Sequence, residues 1–357
     1  AAAVCAFAVP AFAADPAIDP AKLSEHIKVL SSDAFEGRGP ATEGETKTVA
    51  YISEQFKAVG LRPGGDLVKG ARVWTQDVPL ARFRTTGPVK VSVTAGGATQ
   101  DWTQGDQIAI RAAQTGQTRL TIKDAPVVFI GYGVTAPERQ WDDFKGYDLK
   151  GKVALVLVND PDFETGKGDF GGKAMTYYGR WTYKYEEAAR QGAAGVLIVH
   201  ETKGASYGWA TVKNSKTNTM FDIVRQDPTK AHTAVESWIT RDQAVALFKE
   251  AGLDFEAEKV KARGRDFKPV ELKGATFSAD FKVKPEVIVS KNVVGILPGK
   301  THPDEYVIYS GHWDHLGIGQ PDARGDSIYT GAVDNATGTA AVIEMGRAFA
   351  KGPRPDR

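Results

Sequence analysis

The spacing of apolar residues along the chain predicts several amphipathic helices. Leu23, Ile27 and Leu30 recur every three to four residues within residues 20–31, as on one face of a helix. The same spacing, with glycine following several of the ends, predicts further helices over residues 46–59, 183–191, 240–251 and 337–350. Helices are therefore expected near both ends of the chain and in its middle.

Continuous apolar runs indicate buried strands in the middle of the chain. Residues 127–133, 153–158 and 192–199 are such runs, and with the helix over 183–191 they predict a self-contained strand–strand–helix–strand domain. The polar, Gly/Ser/Thr-rich stretch 202–219 predicts an exposed loop. Further strands are predicted over residues 73–80, 89–93, 287–297 and 305–310. The pattern as a whole predicts an α/β fold.

Composition and charge narrow the classes of function. The 357 residues include 45 Lys+Arg and 44 Asp+Glu, so the net charge is +1 and lacks the basic excess that nucleic-acid binding requires. The length predicts about two domains. The single cysteine excludes an intrachain disulfide and a zinc site built from several cysteines. Any metal ligands are therefore expected to be histidine and carboxylate side chains.

The first residues are typical of an export signal. Residues 1–13 are small and apolar and end in Ala11-Phe12-Ala13, an A-x-A cleavage pattern. The stretch is shorter than the ~20 apolar residues that span a bilayer. We interpret it as the remnant of a signal peptide, with a disordered Ala-rich tail as the alternative. We therefore expect a mature chain without a membrane span, exported to a bacterial periplasm or the extracellular space.

Candidate metal ligands occur late in the chain. His312 follows the strand predicted over residues 305–310, and Asp334 lies in a Gly-bounded loop before the helix predicted over 337–350. Because ligands of open α/β sheets bind outside the carboxyl ends of the strands, we expect the two side chains to meet at one edge of the sheet.

Imidazole and carboxylate together form a donor set that suits Zn²⁺. Asp314 is placed to accept the other imidazole N–H of His312, which would fix the tautomer. Asp334 has two oxygens and could bridge two metal ions that share a water, as suits amide hydrolysis. The pattern H-x-D alone is weak, since a histidine at a strand end is more often an ordinary polar residue.

The complete motif is more specific. H-x-D-H at residues 312–315, followed by G-A-x-D-N-x-x-G at 331–338, resembles the di-zinc aminopeptidase family, peptidase family M28. Residues 292–299 (NVVGILPG), 30–38 (LSSDAFEGR) and 48–63 resemble further parts of that family. The resemblance covers nearly the whole mature chain.

The resemblance also implies a domain organisation. The middle of the chain resembles a protease-associated (PA) domain, β-rich with α/β character, inserted into a discontinuous zinc-peptidase α/β/α sandwich that is incomplete here. The implied segments are the signal remnant 1–13, the first peptidase part 14–123, the inserted domain 124–277 and the start of the catalytic core 278–357.

Carried over residue by residue, the resemblance implies two Zn²⁺ per complete catalytic domain. It makes His312 a zinc ligand, Asp334 the bridging ligand and Asp314 the residue that orients His312. His315 and Asn335 are expected beside the metals or on the substrate side.

The family's Glu-Glu pair, which includes the general base, and its remaining ligands are expected beyond Arg357. The chain alone is therefore expected to be inactive and to bind zinc weakly. Glu344 is no substitute, because it is predicted in the middle of a helix, facing solvent or a neighbour.

The resemblance implies an exported zinc metallopeptidase, an aminopeptidase that acts on peptides. A carboxypeptidase or a glutaminyl cyclase on the same fold remains open, as does a non-catalytic binding ectodomain. The oligomeric state also remains open. We expect no nucleic-acid partner.

Overall fold

The computed structural model describes residues 18–322 and 324–357. The predicted signal-peptide remnant, residues 1–13, lies outside the described residues. The described chain divides into two compact units: unit 1 comprises the residues up to Val78 together with Val289–Arg357, and unit 2 comprises Pro79–Ile288. None of the helices in the described ranges is long and apolar enough to cross a membrane.

Local sequence signals set the ends of the helices. Asp19, for example, caps α1 by accepting the Ala21 N–H at 2.9 Å, and Pro20 occupies the first turn, where its missing N–H is not needed. The helices are α1 (Pro20–Leu30), α2 (Glu43–Ala58), α3 (Trp181–Arg190), α4 (Thr202–Ala205), α5 (Trp209–Lys216), α6 (Arg241–Glu250), α7 (Phe255–Lys261) and α8 (Thr337–Lys351). The five predicted helices are confirmed as α1, α2, α3, α6 and α8, with ends shifted by at most three residues.

The strands range from two-residue pairs to long ribbons. They are β1 (Arg62–Pro63), β2 (Leu67–Val68), β3 (Ala71–Arg72), β4 (Thr75–Ala95), β5 (Ala98–Asp101), β6 (Ile108–Ile110), β7 (Arg119–Phe129), β8 (Thr135–Ala136), β9 (Trp141–Asp142), β10 (Val153–Leu157), β11 (Gly195–His200), β12 (Met220–Ile223), β13 (Val235–Thr240), β14 (Val270–Val293), β15 (Gly295–Ile296), β16 (Gly317–Ile318) and β17 (Ile328–Tyr329). β4 joins in one strand what the sequence predicted as two, over residues 73–80 and 89–93.

A mixed sheet is the framework of unit 2. Its order is β12-β4-β14-β7-β10-β11-β13-β6, with β5 paired to β4. The central strands β7, β10, β11 and β13 are parallel, and Val153 lies opposite both Val127 and Gly195. The outer pairings, β6 with β13 and β7 with β14, are antiparallel. The predicted α/β class is confirmed.

Both faces of this sheet are buried. Leu155 and Leu197 belong to the larger hydrophobic cluster, whereas their neighbours Val156 and Ile198 belong to a second one. Because alternate residues of a strand point to opposite faces, a strand covered on both faces needs apolar residues at every position. This is why β10 and β11 are continuous apolar runs in the sequence.

Unit 1 has a smaller core. α1 and α2 pack against α8, and Ile52, Phe56 and Ile343 form a buried cluster. The partly buried residues around this cluster are Tyr51, Leu61, Trp74, Val293, Trp313 and Val342. α8 is thus the element on which both other helices of unit 1 depend.

The loop predicted over residues 202–219 is wrong, because α4 and α5 lie there. In α5 the buried residues are Val212 and Lys216. The Lys216 ammonium lies 3.1 Å from the centre of the Trp181 ring, a cation–π contact. A helix that buries a lysine carries little apolar periodicity, and the sequence pattern therefore missed it.

The strand predicted over residues 305–310 is also wrong. Residues 305–316 have no regular structure, and no strand of the described ranges pairs with them. Ile308 is 82% exposed, and Tyr306 and Tyr309 line an open apolar cavity of 1130 Å³ in unit 1. An apolar run has strand-forming side chains but needs a hydrogen-bonding neighbour to become a strand.

Candidate metal site

The two ring nitrogens of His312 face two different carboxylates. Nε2 lies 3.1 Å from Oδ1 of Asp334. Nδ1 lies 3.3 Å from Oδ1 of Asp314 and 3.0 Å from the Asp314 carbonyl oxygen. The structure therefore brings together the three residues that the sequence grouped, with Asp334 at one ring nitrogen and Asp314 at the other.

Trp313 anchors the segment that carries His312 and Asp314. It packs against the core of unit 1, and its Nε1–H donates to the Lys291 carbonyl at 2.9 Å. Its two neighbours in sequence are then left to face away from that core. The position of His312 thus follows from this anchor, since the strand predicted before it is absent.

The start of α8 fixes the His312 backbone. Thr339 Oγ1 donates to the His312 carbonyl at 3.2 Å. A Cβ on Gly311 would lie 3.0 Å from the Gly338 backbone, so glycine is needed for this close approach. The histidine segment and the first turn of α8 are therefore in direct contact.

Asp334 lies in the turn Ala332–Ala336, directly before α8. Asn335 Oδ1 accepts the Gly338 N–H at 3.1 Å and so satisfies one of the free backbone donors in the first turn of α8. Gly331 precedes the turn with a left-handed φ of 60°, and a Cβ there would lie 2.5 Å from the His315 ring and 2.6 Å from the Asp334 carbonyl oxygen. The turn that carries Asp334 is closely packed on both sides.

His315 lies beside this turn rather than in the open. Its backbone N–H donates to the Arg38 carbonyl at 3.2 Å. Burial lowers the pKa of its imidazole, and the charge of Asp334 works against that lowering. The His315 imidazole thus lies partly buried and close to the charge of Asp334.

Arg38 is the residue of the site that the sequence pattern missed. It is completely buried, and its guanidinium donates to backbone carbonyls of both segments that carry the candidate ligands. The one feature of the sequence that could have indicated Arg38 is its position in residues 30–38, which resemble part of peptidase family M28. Nothing in the residue type distinguishes a buried arginine from a surface one.

Glu344 does not face solvent. It is buried, its carboxylate pairs with Arg347 at 2.9 Å, and it accepts the Asp19 N–H at 3.3 Å. Of the two surroundings expected for Glu344, solvent or a neighbour, the structure therefore shows a neighbour.

The candidate ligands themselves are exposed. The exposed fractions of the side chains are 54% for His312, 46% for Asp314 and 71% for Asp334. Exposed ion pairs contribute little to stability, so the fold does not depend on these contacts. Their open side is available to a ligand.

The donor set fits part of a zinc site. Two donors of one tetrahedral ion, each at about 2.0–2.1 Å from it, lie about 3.3 Å apart, close to the 3.1 Å between Nε2 of His312 and Oδ1 of Asp334. Within residues 18–322 and 324–357, however, no three His, Cys, Asp or Glu side chains are arranged to hold a metal ion. The described residues thus provide two of the roughly four donors that zinc takes.

Two family profiles match the chain. The profile of peptidase family M28 matches residues 292–357, and that of the PA domain matches residues 112–260. The first match contains the site residues His312, Asp314 and Asp334. The second lies within unit 2.

Curated relatives are similar over short stretches. A "Probable zinc metalloprotease" of Pyrenophora tritici-repentis is 32% identical over 124 residues, which are 35% of this chain and 25% of that protein. "Aminopeptidase NAALADL1" of Mus musculus is 40% identical over 62 residues, which are 17% of this chain and 7% of that protein. The chain therefore covers a quarter or less of the length of these relatives.

Two solved structures align with most of the chain. The aminopeptidase from Aneurinibacillus sp. strain AM-1 is 20% identical with a TM-score of 0.43, over 94% of this chain and 60% of that one. The peptidase M28 precursor from Shewanella amazonensis is 17% identical with a TM-score of 0.48, over 93% and 61%.

These profile matches agree with the predicted resemblance, to peptidase family M28 over residues 292–357 and to a PA domain over residues 112–260.

Proposed function

We propose that the protein is a zinc-dependent aminopeptidase that removes N-terminal residues from peptides. The observation that carries the proposal is the contact of His312 Nε2 with Asp334 Oδ1 at 3.1 Å, inside the segment that matches peptidase family M28. Partial similarity to proteins named zinc metalloprotease and aminopeptidase supports the class of reaction.

Each candidate ligand has a separate role in the proposed site. His312 would hold a zinc ion through Nε2, because the acceptors of Asp314 at Nδ1 keep the ring proton there and leave the Nε2 lone pair free. Asp334 would be a further zinc ligand, the one shared between two ions. The proposed complement is two Zn²⁺.

Bound zinc would polarise the scissile carbonyl and lower the pKa of a bound water. His312 and Asp334 provide only two donors, and Glu344 is engaged with Arg347. We therefore propose that the general base and the remaining ligands come from outside residues 18–357, and that this chain alone is inactive.

Zinc content of the full-length protein tests the site. Wild-type protein is expected to retain zinc after dialysis, and His312→Ala to lose most of it. His302→Ala is the matched control, because His302 is an exposed histidine of the same unit, 3.7 Å from Glu305. Undiminished zinc in His312→Ala would overturn the site assignment.

The class of reaction is tested with paired substrates. An aminopeptidase cleaves a peptide with a free N-terminus and leaves its N-acetylated form intact. Release of C-terminal residues would instead indicate a carboxypeptidase, and formation of pyroglutamate a glutaminyl cyclase. Zinc binding without any turnover would indicate a non-catalytic binding protein.

Export forms a separate part of the proposal. Residues 1–13 end in an A-x-A pattern, so the mature protein is expected to begin at Ala14 and to be found outside the cytoplasm. N-terminal sequencing of the protein from fractionated cells tests this. Recovery from the cytoplasm with these residues retained would contradict export.

A further inference from the structure

Arg38 is a buried cation bonded to backbone carbonyls. Its side chain is 0% exposed. Nε donates to the Trp313 carbonyl at 2.7 Å, and Nη2 donates to the Gly331 carbonyl at 2.8 Å. Nη1 donates to the Thr330 carbonyl at 2.8 Å and to the Leu30 carbonyl. One guanidinium thus holds carbonyls from three separate parts of unit 1.

Two of these parts carry the candidate zinc ligands. Trp313 lies between His312 and Asp314 in sequence, and Gly331 begins the approach to Asp334. The link is reciprocal, because the His315 N–H donates to the Arg38 carbonyl at 3.2 Å. Arg38 therefore links the segment that contains His312 to the turn that contains Asp334.

Keeping an arginine at this position is costly for the fold. Burial lowers the pKa of Arg38, and the charges of Asp314 and Asp334 oppose that effect. Within the described residues, no carboxylate forms a direct salt bridge with it. Arg38 also has a left-handed φ of 51°, a conformation that residues other than glycine rarely adopt.

The neighbouring glycine shows how closely this loop is packed. Gly37 also has positive φ, and a Cβ there would lie 2.5 Å from the carbonyl oxygens of Gly317 and Tyr329, which belong to the β16–β17 pair. The backbone of Arg38 is thus fixed from one side while its guanidinium is fixed from the other. Lysine has no planar fork of donors and cannot reproduce this arrangement.

We propose that Arg38 is a positioning residue for the His312–Asp334 pair. By holding the carbonyls of Trp313 and Gly331, its guanidinium sets the separation between His312 Nε2 and the Asp334 carboxylate. Arg38 itself contacts neither metal nor substrate. The proposal rests on the proposed zinc function, since it assigns a cause to the geometry of that site.

Cobalt binding to the full-length protein, followed by visible absorption, tests the proposal. Arg38→Lys is expected to weaken Co²⁺ binding by about 10–100-fold, the effect typical of residues that orient metal ligands, and to alter the d–d spectrum. Amide hydrogen exchange of the metal-free protein should accelerate in both residues 311–316 and residues 330–336. A residue that only fills space would lower the melting temperature without these changes.

Arg347→Lys is the matched control, because Arg347 is an arginine of the same unit with only 11% of its side chain exposed, and it pairs with a carboxylate, that of Glu344. Cobalt affinity is expected to stay within about twofold of wild type in this control. Equal weakening in both variants, measured well below their melting temperatures, would overturn the positioning role.

Arg38→Ala provides a second test in case Arg38→Lys fails to fold. Methylguanidinium at millimolar concentration should restore part of its cobalt affinity, whereas methylammonium should not; equal effects of the two additives would contradict the proposal.

If wild-type protein binds no cobalt, the proposed zinc function fails. If wild type binds cobalt and Arg38→Lys binds it equally with unchanged exchange, only the role of Arg38 fails.

Discussion

Each of the two units contains a histidine that lies between two carboxylates, and the two clusters differ in their surroundings. In unit 1, His312 lies between Asp314 and Asp334, and its side chain is 54% exposed. In unit 2, His232 Nδ1 lies 2.8 Å from Glu236 and Nε2 lies 3.0 Å from Asp222, with 11% of the side chain exposed. The chemical groups are the same, and they differ in how far they are exposed to solvent.

The cluster of unit 2 is closed. Arg111 donates to Glu236 at 2.9 Å, and Arg225 donates to Asp222 at 2.6 Å, so each carboxylate has a second basic partner. Burial lowers the pKa of His232, but hydrogen bonds to Asp222 and Glu236 outweigh it and raise the pKa to about 9. Such a compensated cluster holds the fold and leaves no donor for a ligand.

The cluster of unit 1 is open. Its carboxylates have solvent on one side, and the nearby cation, Arg38, bonds to backbone carbonyls instead of neutralising them directly. Asp334 and Nε2 of His312 therefore keep their donor capacity. A histidine between carboxylates can therefore be open to a ligand, as His312 is, or closed off by further charged groups, as His232 is.

Replacing each of the two histidines by glutamine should have opposite effects: one replacement should lower stability, and the other should abolish zinc binding. His232→Gln removes a buried cation and is expected to destabilise unit 2 by about 2–3 kcal/mol, less than for an isolated buried pair because Arg111 and Arg225 remain. The matched His312→Gln should change the stability of unit 1 by less than about 0.5 kcal/mol and remove zinc. Hydrogen exchange of the slowest amides of each unit measures the two stability changes, and zinc content after dialysis measures the loss of metal. Equal destabilisation of the two units would contradict the comparison.

Asp314→Asn should affect binding alone. Loss of the charged acceptor at Nδ1 is expected to lower zinc affinity by about 10–100-fold, measured by competition with a chelating dye, while stability stays unchanged. Asp322→Asn is a suitable control, because Asp322 is another aspartate of unit 1 that pairs with an arginine, Arg324, at 3.0 Å. A loss of affinity in both variants would point to general surface charge.

Alkaline pH should weaken unit 2 through His232. The folded pKa of about 9 lies above the unfolded value of about 6.5. The stabilisation is therefore complete below pH about 6.5 and is lost as pH rises through 9. Between pH 7 and 9.5 we expect a loss of about 2.4 kcal/mol, or roughly 5–10 °C in melting temperature. His232→Gln should lack this component, and an identical pH profile in both proteins would refute it.

Sequence patterns predicted those elements whose residues bury apolar side chains at a regular spacing. Ala340 and Ile343 in α8 are such residues, and both are buried. α5 was missed because it buries Lys216 over the Trp181 ring, which no apolar pattern records. Residues 305–310 have the apolar pattern of a strand, but no strand in the described part of the chain pairs with them, since pairing depends on a neighbour elsewhere in the chain.

The candidate site was predictable to a similar extent. The motif grouped His312, Asp314 and Asp334, and the structure brings their side chains together. Their roles as ligands remain predictions. Arg38 was not predicted, because its partners are carbonyls distant in sequence, and backbone carbonyls have no signature in the amino-acid pattern.

The sequence by itself determined the chemistry that is available: the motif residues, the peptidase family M28 and PA segments, and the apolar periodicities of the main helices and strands. The tertiary structure alone decided how that chemistry is distributed. In the folded chain His232 is buried among charged partners, and His312 is exposed. Arg38 is bonded to the backbone of both segments that carry the candidate ligands. Burial, exposure and hydrogen-bond partners depend on contacts between distant residues, and those contacts exist only once the chain is folded.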